Sequence, residues 1–190
     1  VMDAYRRAWE LDGLDIKGIH SHIGSQILEL GVFGEVMERM MNLVEEIKDE
    51  LGIRLEFLDI GGGLGVAYRE DDPVPTPHDL ADVVLPVFKG RCKEAGVSPT
   101  LILEPGRYIV ADSTVLLTRV NTVKRAYKNF VATDAGFNLL ARPVLYGSYH
   151  RIVVANKMDL PPEETYTIVG PICESGDILG EDRRLPKIEK

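Results

Sequence analysis

The sequence predicts an α/β domain of parallel strands and crossover helices, followed by an antiparallel β domain. Two observations predict this fold class. Strand-like and helix-like segments alternate up to about residue 113, which is typical of parallel strands joined by helices. From residue 114 onwards, β-rich runs follow one another between turns, with no convincing helix. We therefore divide the chain into residues 1–113 and residues 114–190.

The first domain is predicted to begin with an amphipathic helix over 1–11, followed by strands at 15–20, 54–60 and 99–104. Helices are predicted at 31–51 and 78–96, the second of which has to tolerate Pro86. The helix at 31–51 has an apolar stripe at helical spacing. Its methionines are interpreted as core residues, because an unbranched thioether fills irregular gaps. The stripe consists of Phe33, Val36, Met37, Met40, Val44 and Ile47.

The second domain is predicted to contain β-rich runs at 114–127, 129–135, 151–156 and 165–171. The charged stretch 181–190 is interpreted as a solvated tail. The chain starts with Val1 inside a helix-like segment rather than with Met. We therefore expect it to lack the N-terminal part of the natural protein.

Composition and charge exclude several classes of protein. A net charge of −8 argues against a nucleic-acid partner, because binding to phosphates requires a basic face. No stretch approaches the roughly 18 apolar residues of a membrane span, so no membrane partner is expected. The two cysteines lie far apart in sequence, and their number favours a reducing, cytoplasmic setting without disulfides.

Polar or glycine-rich clusters follow each of the three predicted strands of the first domain. They are HSHIGSQ at 20–26, GGGLG at 61–65 and EPGR at 104–107. In a parallel β/α barrel the carboxyl ends of the strands form one face, and that face carries the active site. The three clusters therefore predict a single site.

The chemistry of these clusters suits a phosphate monoester. Consecutive glycines expose backbone N–H groups to an anion, and we expect Gly62, Gly63 and Gly106 to contribute them. Ser25 adds a hydroxyl and Arg107 a guanidinium. The alternative is that the glycines only allow a tight turn after the strand.

Two further side chains at these strand ends have two interpretations each. Glu104 is expected to be a buried carboxylate, paired either with Arg107 or with a protonated pyridine nitrogen. His22 is either a core histidine or a ring that stacks on an aromatic cofactor. His20 is interpreted as structural, and no metal site is expected.

Five motifs occur here in the order found in the diaminopimelate decarboxylase family, and the sequence resembles that family from about residue 14 to residue 180. They are HSHIGSQ, LDIGGGLG, EPGRYIVADS, DAGFN with ARPVLYGSYH, and GPICESGD. The family belongs to the alanine-racemase-like, fold-type III pyridoxal-phosphate decarboxylases. The resemblance implies part of a (β/α)8 TIM-type barrel that binds pyridoxal 5′-phosphate, followed by part of a C-terminal β domain. It also implies a homodimer with shared active sites.

The resemblance implies a role for each matching residue. Gly62, Gly63 and Gly106 correspond to phosphate-binding positions, with Ser25 assisting and Arg107 contacting the phosphate or the substrate. Glu104 corresponds to the partner of the pyridine nitrogen, and His22 to the stacking ring. Arg142, Tyr146 and Glu174 correspond to substrate contacts. Cys173 corresponds to a proton donor that reaches the cofactor of the partner subunit; thiols ionise at about pH 8.5, so a cysteine can release a proton near neutrality.

The implied reaction converts meso-2,6-diaminopimelate to L-lysine, the last step of lysine biosynthesis. Arg142 suits the distal carboxylate of this amino-acid substrate, and Glu174 suits its ammonium group. The alternatives are a related decarboxylase acting on ornithine, arginine or a carboxylated polyamine, a non-catalytic binding homologue, and a phosphate-binding barrel enzyme without pyridoxal. The family also anchors its cofactor on a lysine of an early strand, and neither Lys17 nor Lys124 has that setting. We therefore expect this chain to be inactive by itself.

Overall fold

The computed structural model describes residues 1–189, and the chain divides into two units. The first unit consists of Val1–Ala67 and Pro73–Thr114, and the second of Tyr68–Asp72 and Val115–Lys190. Within residues 1–189, every helix is too short or too polar to cross a lipid bilayer.

The first unit contains three parallel strands with helices between them, as predicted. The strands β1 (Gly18–His20), β2 (Phe57–Asp59) and β3 (Thr100–Ile102) form one sheet in the order β1-β2-β3. In the register of the sheet, Ile19 lies beside Leu58, which lies beside Leu101. The helices are α1 (Met2–Trp9), α2 (Gly31–Leu51), α3 (Pro77–Ala95) and α4 (Gly106–Val110).

Helix α2 has the bounds that the apolar stripe predicts. The buried side chains of this stripe repeat every three or four residues, which places them on one face of a helix. Full burial of such a side chain stabilises the fold by roughly 1.5–3 kcal/mol. The helix ends at Gly52, whose φ of 71° closes the last turn through an N–H bond to the carbonyl of Lys48. The buried residues are Phe33, Met37, Met40, Met41, Val44 and Ile47, so the core interpretation of the methionines is confirmed.

Helix α3 is bounded by capping residues that can be identified in the sequence. The Thr76 hydroxyl accepts a hydrogen bond from the Asp79 amide, while the Asp79 carboxylate accepts one from the Thr76 amide at 2.8 Å. This reciprocal arrangement satisfies two N–H groups that have no partner inside a helix. Pro86 lies inside the helix, as predicted, and Gly96 ends it at a φ of 64°.

The second unit is built on a mixed four-stranded sheet. The strands β4 (Val120–Arg125), β5 (Asn129–Thr133), β6 (Glu164–Val169) and β7 (Ile178–Leu185) follow one another in that order. The pairs β4–β5 and β6–β7 are antiparallel, as predicted, whereas β5 and β6 are parallel. A parallel pair requires a long crossover, and residues 134–163 supply it. This crossover contains helix α5 (Arg142–Tyr146) and a 3₁₀ turn at Ala155–Lys157.

Three local predictions for the second unit are wrong. The sequence predicts no helix there, whereas α5 forms in the crossover. Residues 151–154 form no strand and lead into the 3₁₀ turn, because they belong to the crossover that connects the parallel strands β5 and β6. Within the described residues, the segment predicted as a solvated tail (181–190) is also not one over 181–189. Strand β7 extends to Leu185, and Leu185 and Ile188 are buried. Leu185 and Ile188 anchor this segment on the second unit, while most of its charged side chains stay exposed.

The core of the second unit surrounds Tyr166, which is 1% exposed. Its hydroxyl donates to Glu164 Oε2 and accepts a bond from the Ile188 amide, both at 2.9 Å. The buried phenol therefore links β6 to the segment after β7. The apolar residues of this core are Val131, Tyr166, Ile168, Leu179, Leu185 and Ile188.

Candidate active site

The three strand-end loops of the first unit lie together. Beyond the ends of the strands, the Ser21 amide donates to the Asp59 carbonyl at 2.9 Å, and the Glu104 amide donates to the Gly61 carbonyl at 2.9 Å. Residues Ile27 and Leu64 form a further parallel bridge. These bonds continue the pairing of the strands into the loops and hold all three clusters together at the carboxyl ends of the strands.

Glycine is required where these loops touch. A Cβ on Gly62 would overlap the carbonyl oxygen of Glu104, and one on Gly63 would overlap that of Gly24. Gly63 also has a φ of 101°, which other residues rarely adopt. By contrast, a Cβ on Gly106 would meet nothing within 4 Å. Gly62 and Gly63 therefore allow close approach of the backbones, while Gly106 borders open space.

Arg107 joins the loop after β3 to the loop after β1. Its Nη2 donates to Ser25 Oγ at 2.8 Å, and its Nη1 donates to Gln26 Oε1 at 3.0 Å. The Gln26 amide group in turn donates to the Val66 carbonyl at 2.6 Å. Sequence reasoning missed Gln26, although it lies in the HSHIGSQ motif, because nothing local to it shows that its amide bridges two loops.

Glu104 pairs with His20 rather than with Arg107. The distance from His20 Nε2 to Glu104 Oε2 is 3.3 Å. The Glu104 side chain is 54% exposed, so the expectation of a buried carboxylate is wrong. The reason is that β3 is the outer strand of the three-stranded sheet in residues 1–189, so that no further strand pairs with its other edge there.

The buried Asp59 completes a small polar cluster with His20 and Glu104. The ligand atoms of these three side chains lie within 4.8 Å of one another, a spacing that a metal ion would also accept. Asp59 Oδ1 already accepts a bond from the Gly61 amide at 2.8 Å. Asp59 therefore fixes the loop after β2, and His20 restrains one carboxylate oxygen of Glu104.

His22 presents an exposed ring whose orientation is set by the backbone. The Gly62 amide donates to His22 Nδ1 at 3.3 Å. Because Nδ1 accepts this bond, the neutral ring carries its proton on Nε2. A flat, oriented and exposed ring can cover an aromatic ligand.

In the second unit, Cys173 and Glu174 lie in the turn between β6 and β7. The Cys173 thiol is free and exposed. Glu174 Oε1 accepts bonds from Ser175 Oγ at 3.1 Å and from the Gly176 amide at 3.2 Å. The carboxylate therefore bonds within its own turn, next to the thiol.

Helix α5 packs on this turn and carries the other two expected substrate contacts. A Cβ on Gly176 would lie 2.9 Å from Val144 Cγ2 of the helix. The Arg142 guanidinium lies 4.9 Å from the centre of the Tyr146 ring. Arg142 Nε is buried without a hydrogen-bond partner among the described residues. The second unit thus packs the helix that carries Arg142 and Tyr146 against the turn that carries the thiol.

Residues 1–111 match the family model described as pyridoxal-dependent decarboxylase, pyridoxal binding domain. This match covers more than half of the chain. The chain belongs to the pyridoxal-dependent decarboxylases. The resemblance that the sequence motifs indicated is therefore confirmed for the family, and the parallel sheet of the first unit is the corresponding part of its barrel fold.

Members of this family with curated names resemble the whole chain. Diaminopimelate decarboxylase of Archaeoglobus fulgidus is 58% identical over 189 residues, which are 100% of this chain and 45% of that protein. The crystal structure of the Methanocaldococcus jannaschii enzyme with L-lysine has a TM-score of 0.89 and 39% identity, and the match covers 99% of this chain and 43% of that one. The corresponding Helicobacter pylori complex gives 0.86 and 36%, with coverages of 99% and 45%. The chain spans less than half the length of these relatives.

The cofactor of this family is pyridoxal 5′-phosphate, and the strand-end residues fit its chemistry. Arg107 and Ser25 offer a cation and a hydroxyl to a phosphate, beside the open space at Gly106. Glu104 offers a carboxylate to a protonated ring nitrogen, and His22 offers a flat ring. Lys17 does not fit the family's anchoring lysine, because it precedes β1 and its ammonium bonds to Glu56 and Asp15.

Proposed function

We propose that the protein containing this chain decarboxylates meso-2,6-diaminopimelate to L-lysine with pyridoxal 5′-phosphate. It is then a carbon–carbon lyase of the last step of lysine biosynthesis. The observation that carries the proposal is the 58% identity to a diaminopimelate decarboxylase along the whole of this chain. The chemistry of the described side chains supports the same reaction.

The strand-end loops of the first unit hold the cofactor. Gly62 and Gly63 would keep the backbones of the three loops close together, and Gly106 would leave space for the phosphate. Arg107 would supply a positive charge to the phosphate and Ser25 a hydroxyl. His22 would offer its flat ring to the aromatic ring of the cofactor.

Glu104 would keep a proton on the ring nitrogen of the cofactor, and its contact with His20 Nε2 restrains the carboxylate. Bound pyridoxal phosphate supplies an electron sink for the charge that remains when CO₂ leaves. A cationic ring is the stronger sink, so the proton held by Glu104 favours loss of CO₂.

The second unit recognises the substrate and supplies a proton. Arg142 binds the distal carboxylate through charge-assisted hydrogen bonds, and Glu174 binds the distal ammonium group. Tyr146 packs against the Arg142 guanidinium and restricts its position. The Cys173 thiol donates its proton to the carbon that has lost CO₂, and the resulting thiolate regains a proton from water.

We also propose that the enzyme is a cytoplasmic homodimer in which Cys173 of one subunit serves the cofactor bound by the other. Mixed dimers test this arrangement. Cys173→Ala and Glu104→Gln are each expected to inactivate the enzyme. Co-expressing the two variants should restore about a quarter of the activity, because one of the two sites in half of the dimers is then intact. No activity in isolated mixed dimers would contradict the shared site.

Replacing Arg142 tests the substrate. In the full-length enzyme, Arg142→Ala is expected to lower kcat/KM for diaminopimelate by about 100-fold, because the distal carboxylate loses a charge-assisted pair worth about 2.7 kcal/mol. The control is Arg184→Ala, which removes an exposed guanidinium that bonds to the Pro162 carbonyl.

Measuring CO₂ release from diaminopimelate, ornithine and arginine separates the alternatives. A wild-type preference for ornithine or arginine would reject diaminopimelate as the substrate. No CO₂ release from any amino acid would indicate a non-catalytic homologue.

A further inference from the structure

The turn that carries Cys173 also contains a carboxylate that the proposed reaction does not use. Asp177 is 2% exposed. Burying an ionised carboxylate is unfavourable unless hydrogen-bond donors replace the lost water. The hydrogen-bond donors around Asp177 therefore identify the segments that its buried carboxylate connects.

Both carboxylate oxygens accept hydrogen bonds from backbone amides. Asp177 Oδ1 accepts from the Phe137 amide at 2.7 Å, and Oδ2 accepts from the Ile172 amide at 2.8 Å. Phe137 lies in the loop that leaves β5, and Ile172 immediately precedes Cys173. One side chain thus joins the β5 loop to the turn between β6 and β7.

The backbone of Asp177 closes the same turn. Its carbonyl accepts a bond from the Gly170 amide at 2.9 Å, and its amide donates to the Glu174 carbonyl at 3.1 Å. The proposed ammonium-binding residue is therefore fixed by the backbone of Asp177, while the residue before the thiol is fixed by its side chain.

Two glycines make room for this carboxylate. A Cβ on Gly136 would lie 2.8 Å from both Asp177 oxygens, and one on Gly170 would overlap the carboxylate. Two neighbouring segments therefore lack side chains where the carboxylate lies. A residue that served only as a surface turn former would not need this space.

We propose that Asp177 is a positioning residue that holds Cys173 and Glu174 in the geometry needed for proton donation and substrate binding. Its carboxylate acts through the Ile172 and Phe137 amides and does not touch the reacting atoms. The proposal rests on the proposed function of Cys173 as the proton donor.

The experiment compares Asp177→Asn with the wild type in the full-length enzyme. Asn has nearly the same shape, but one of its two terminal atoms becomes an NH₂ group that faces a backbone N–H. One of the two bonds is therefore replaced by a contact between two donors. The matched control is Asp182→Asn, which changes an exposed carboxylate in β7 of the same hairpin.

Three measurements are made on each variant. Amide exchange followed by mass spectrometry is expected to be about tenfold faster in peptides spanning 134–140 and 170–177, the factor that corresponds to losing about 1.4 kcal/mol. The rate of Cys173 alkylation is expected to change by about threefold or more, since its turn is released. In steady-state kinetics, kcat is expected to fall by about tenfold, because proton donation depends on geometry. The factor by which KM rises is expected to be smaller.

Wild-type exchange and alkylation in a folded Asp177→Asn enzyme would overturn the proposal, whatever its activity. If Cys173→Ala retains full activity while Asp177→Asn loosens the turn, the proton-donor role is wrong, and Asp177 positions only Glu174 for substrate binding. Should Asp177→Asn fail to fold, Gly136→Ala replaces it. The added methyl group pushes the carboxylate away from the Phe137 amide without changing charge, and the same three results are expected.

Discussion

Substituting Gly63 by alanine tests whether the strand-end loops depend on close backbone approach. The new methyl group would overlap the carbonyl oxygen of Gly24, and alanine would have to adopt a φ of 101°. An unfavourable backbone conformation costs about 1–3 kcal/mol. Forcing a methyl group into a packed contact costs about 1–3 kcal/mol more. We therefore expect Gly63→Ala to lower the free energy of unfolding by about 2–6 kcal/mol.

The same substitution should weaken the cofactor site, because the loops after β1 and β2 must separate to accept the methyl group. The assay is urea denaturation of the full-length enzyme, together with pyridoxal phosphate binding followed by the absorbance of the bound cofactor. Gly90→Ala is the control. It adds a methyl group in open space within α3 and should stabilise the helix by about 0.5–1 kcal/mol. A Gly63→Ala enzyme within about 0.5 kcal/mol of wild type would refute the close-approach argument.

Three further predictions concern the second unit and the two thiols. Hydrogen bonds hold the pKa of Asp134 below its usual value, and the bond from the Thr118 hydroxyl has the largest effect. The ionised Asp134 carboxylate therefore stabilises the fold above its unfolded pKa, and this stabilisation is lost as the pH falls through the folded pKa. Asp134→Asn should accordingly flatten the acid limb of a plot of urea midpoint against pH. Tyr166→Phe should destabilise the protein by about 1–3 kcal/mol in the same assay, because it leaves a buried amide without its acceptor. At pH 8, iodoacetamide should modify the exposed Cys173 faster than Cys92, whose pKa is raised by burial, and equal rates measured by peptide mass spectrometry would contradict this ordering.

Local signals predicted the helices and strands of the first unit well. The apolar stripe from Phe33 to Ile47 defines α2 without reference to the rest of the fold. The position of each polar cluster after a strand also predicted that the clusters share one edge of the sheet. Both inferences depend only on periodicity and on the geometry of parallel strands.

Features that depend on distant partners could not be read from the sequence. The exposure of Glu104 follows from the position of β3 at the outer edge of its sheet. The burial of Leu185 and Ile188 follows from packing against Tyr166. Residues 68–72 belong to the second unit, where Arg69 stacks on the ring of Tyr149, and no local pattern encodes that contact.

Asp177 shows the same limit within the candidate site. A charged residue that directly follows a serine and a glycine in a turn is typical of a solvent-exposed loop. Its donors come from the Phe137 and Ile172 amides, and only the folded chain brings the first of these near. The role of Asp177 in the GPICESGD motif is therefore visible only in the structure.

The pairing of β6 with β7 constrains the length of the segment that joins them. Side chains alternate between the two faces of a strand, so sliding β7 by one residue would turn Leu179 and Leu185 towards solvent. Residues 170–177 can consequently not readily change in number. Redesign of substrate preference at this turn is limited to substitutions that keep Gly170 and Asp177, whereas added residues are better accommodated at 158–161, in the crossover between β5 and β6.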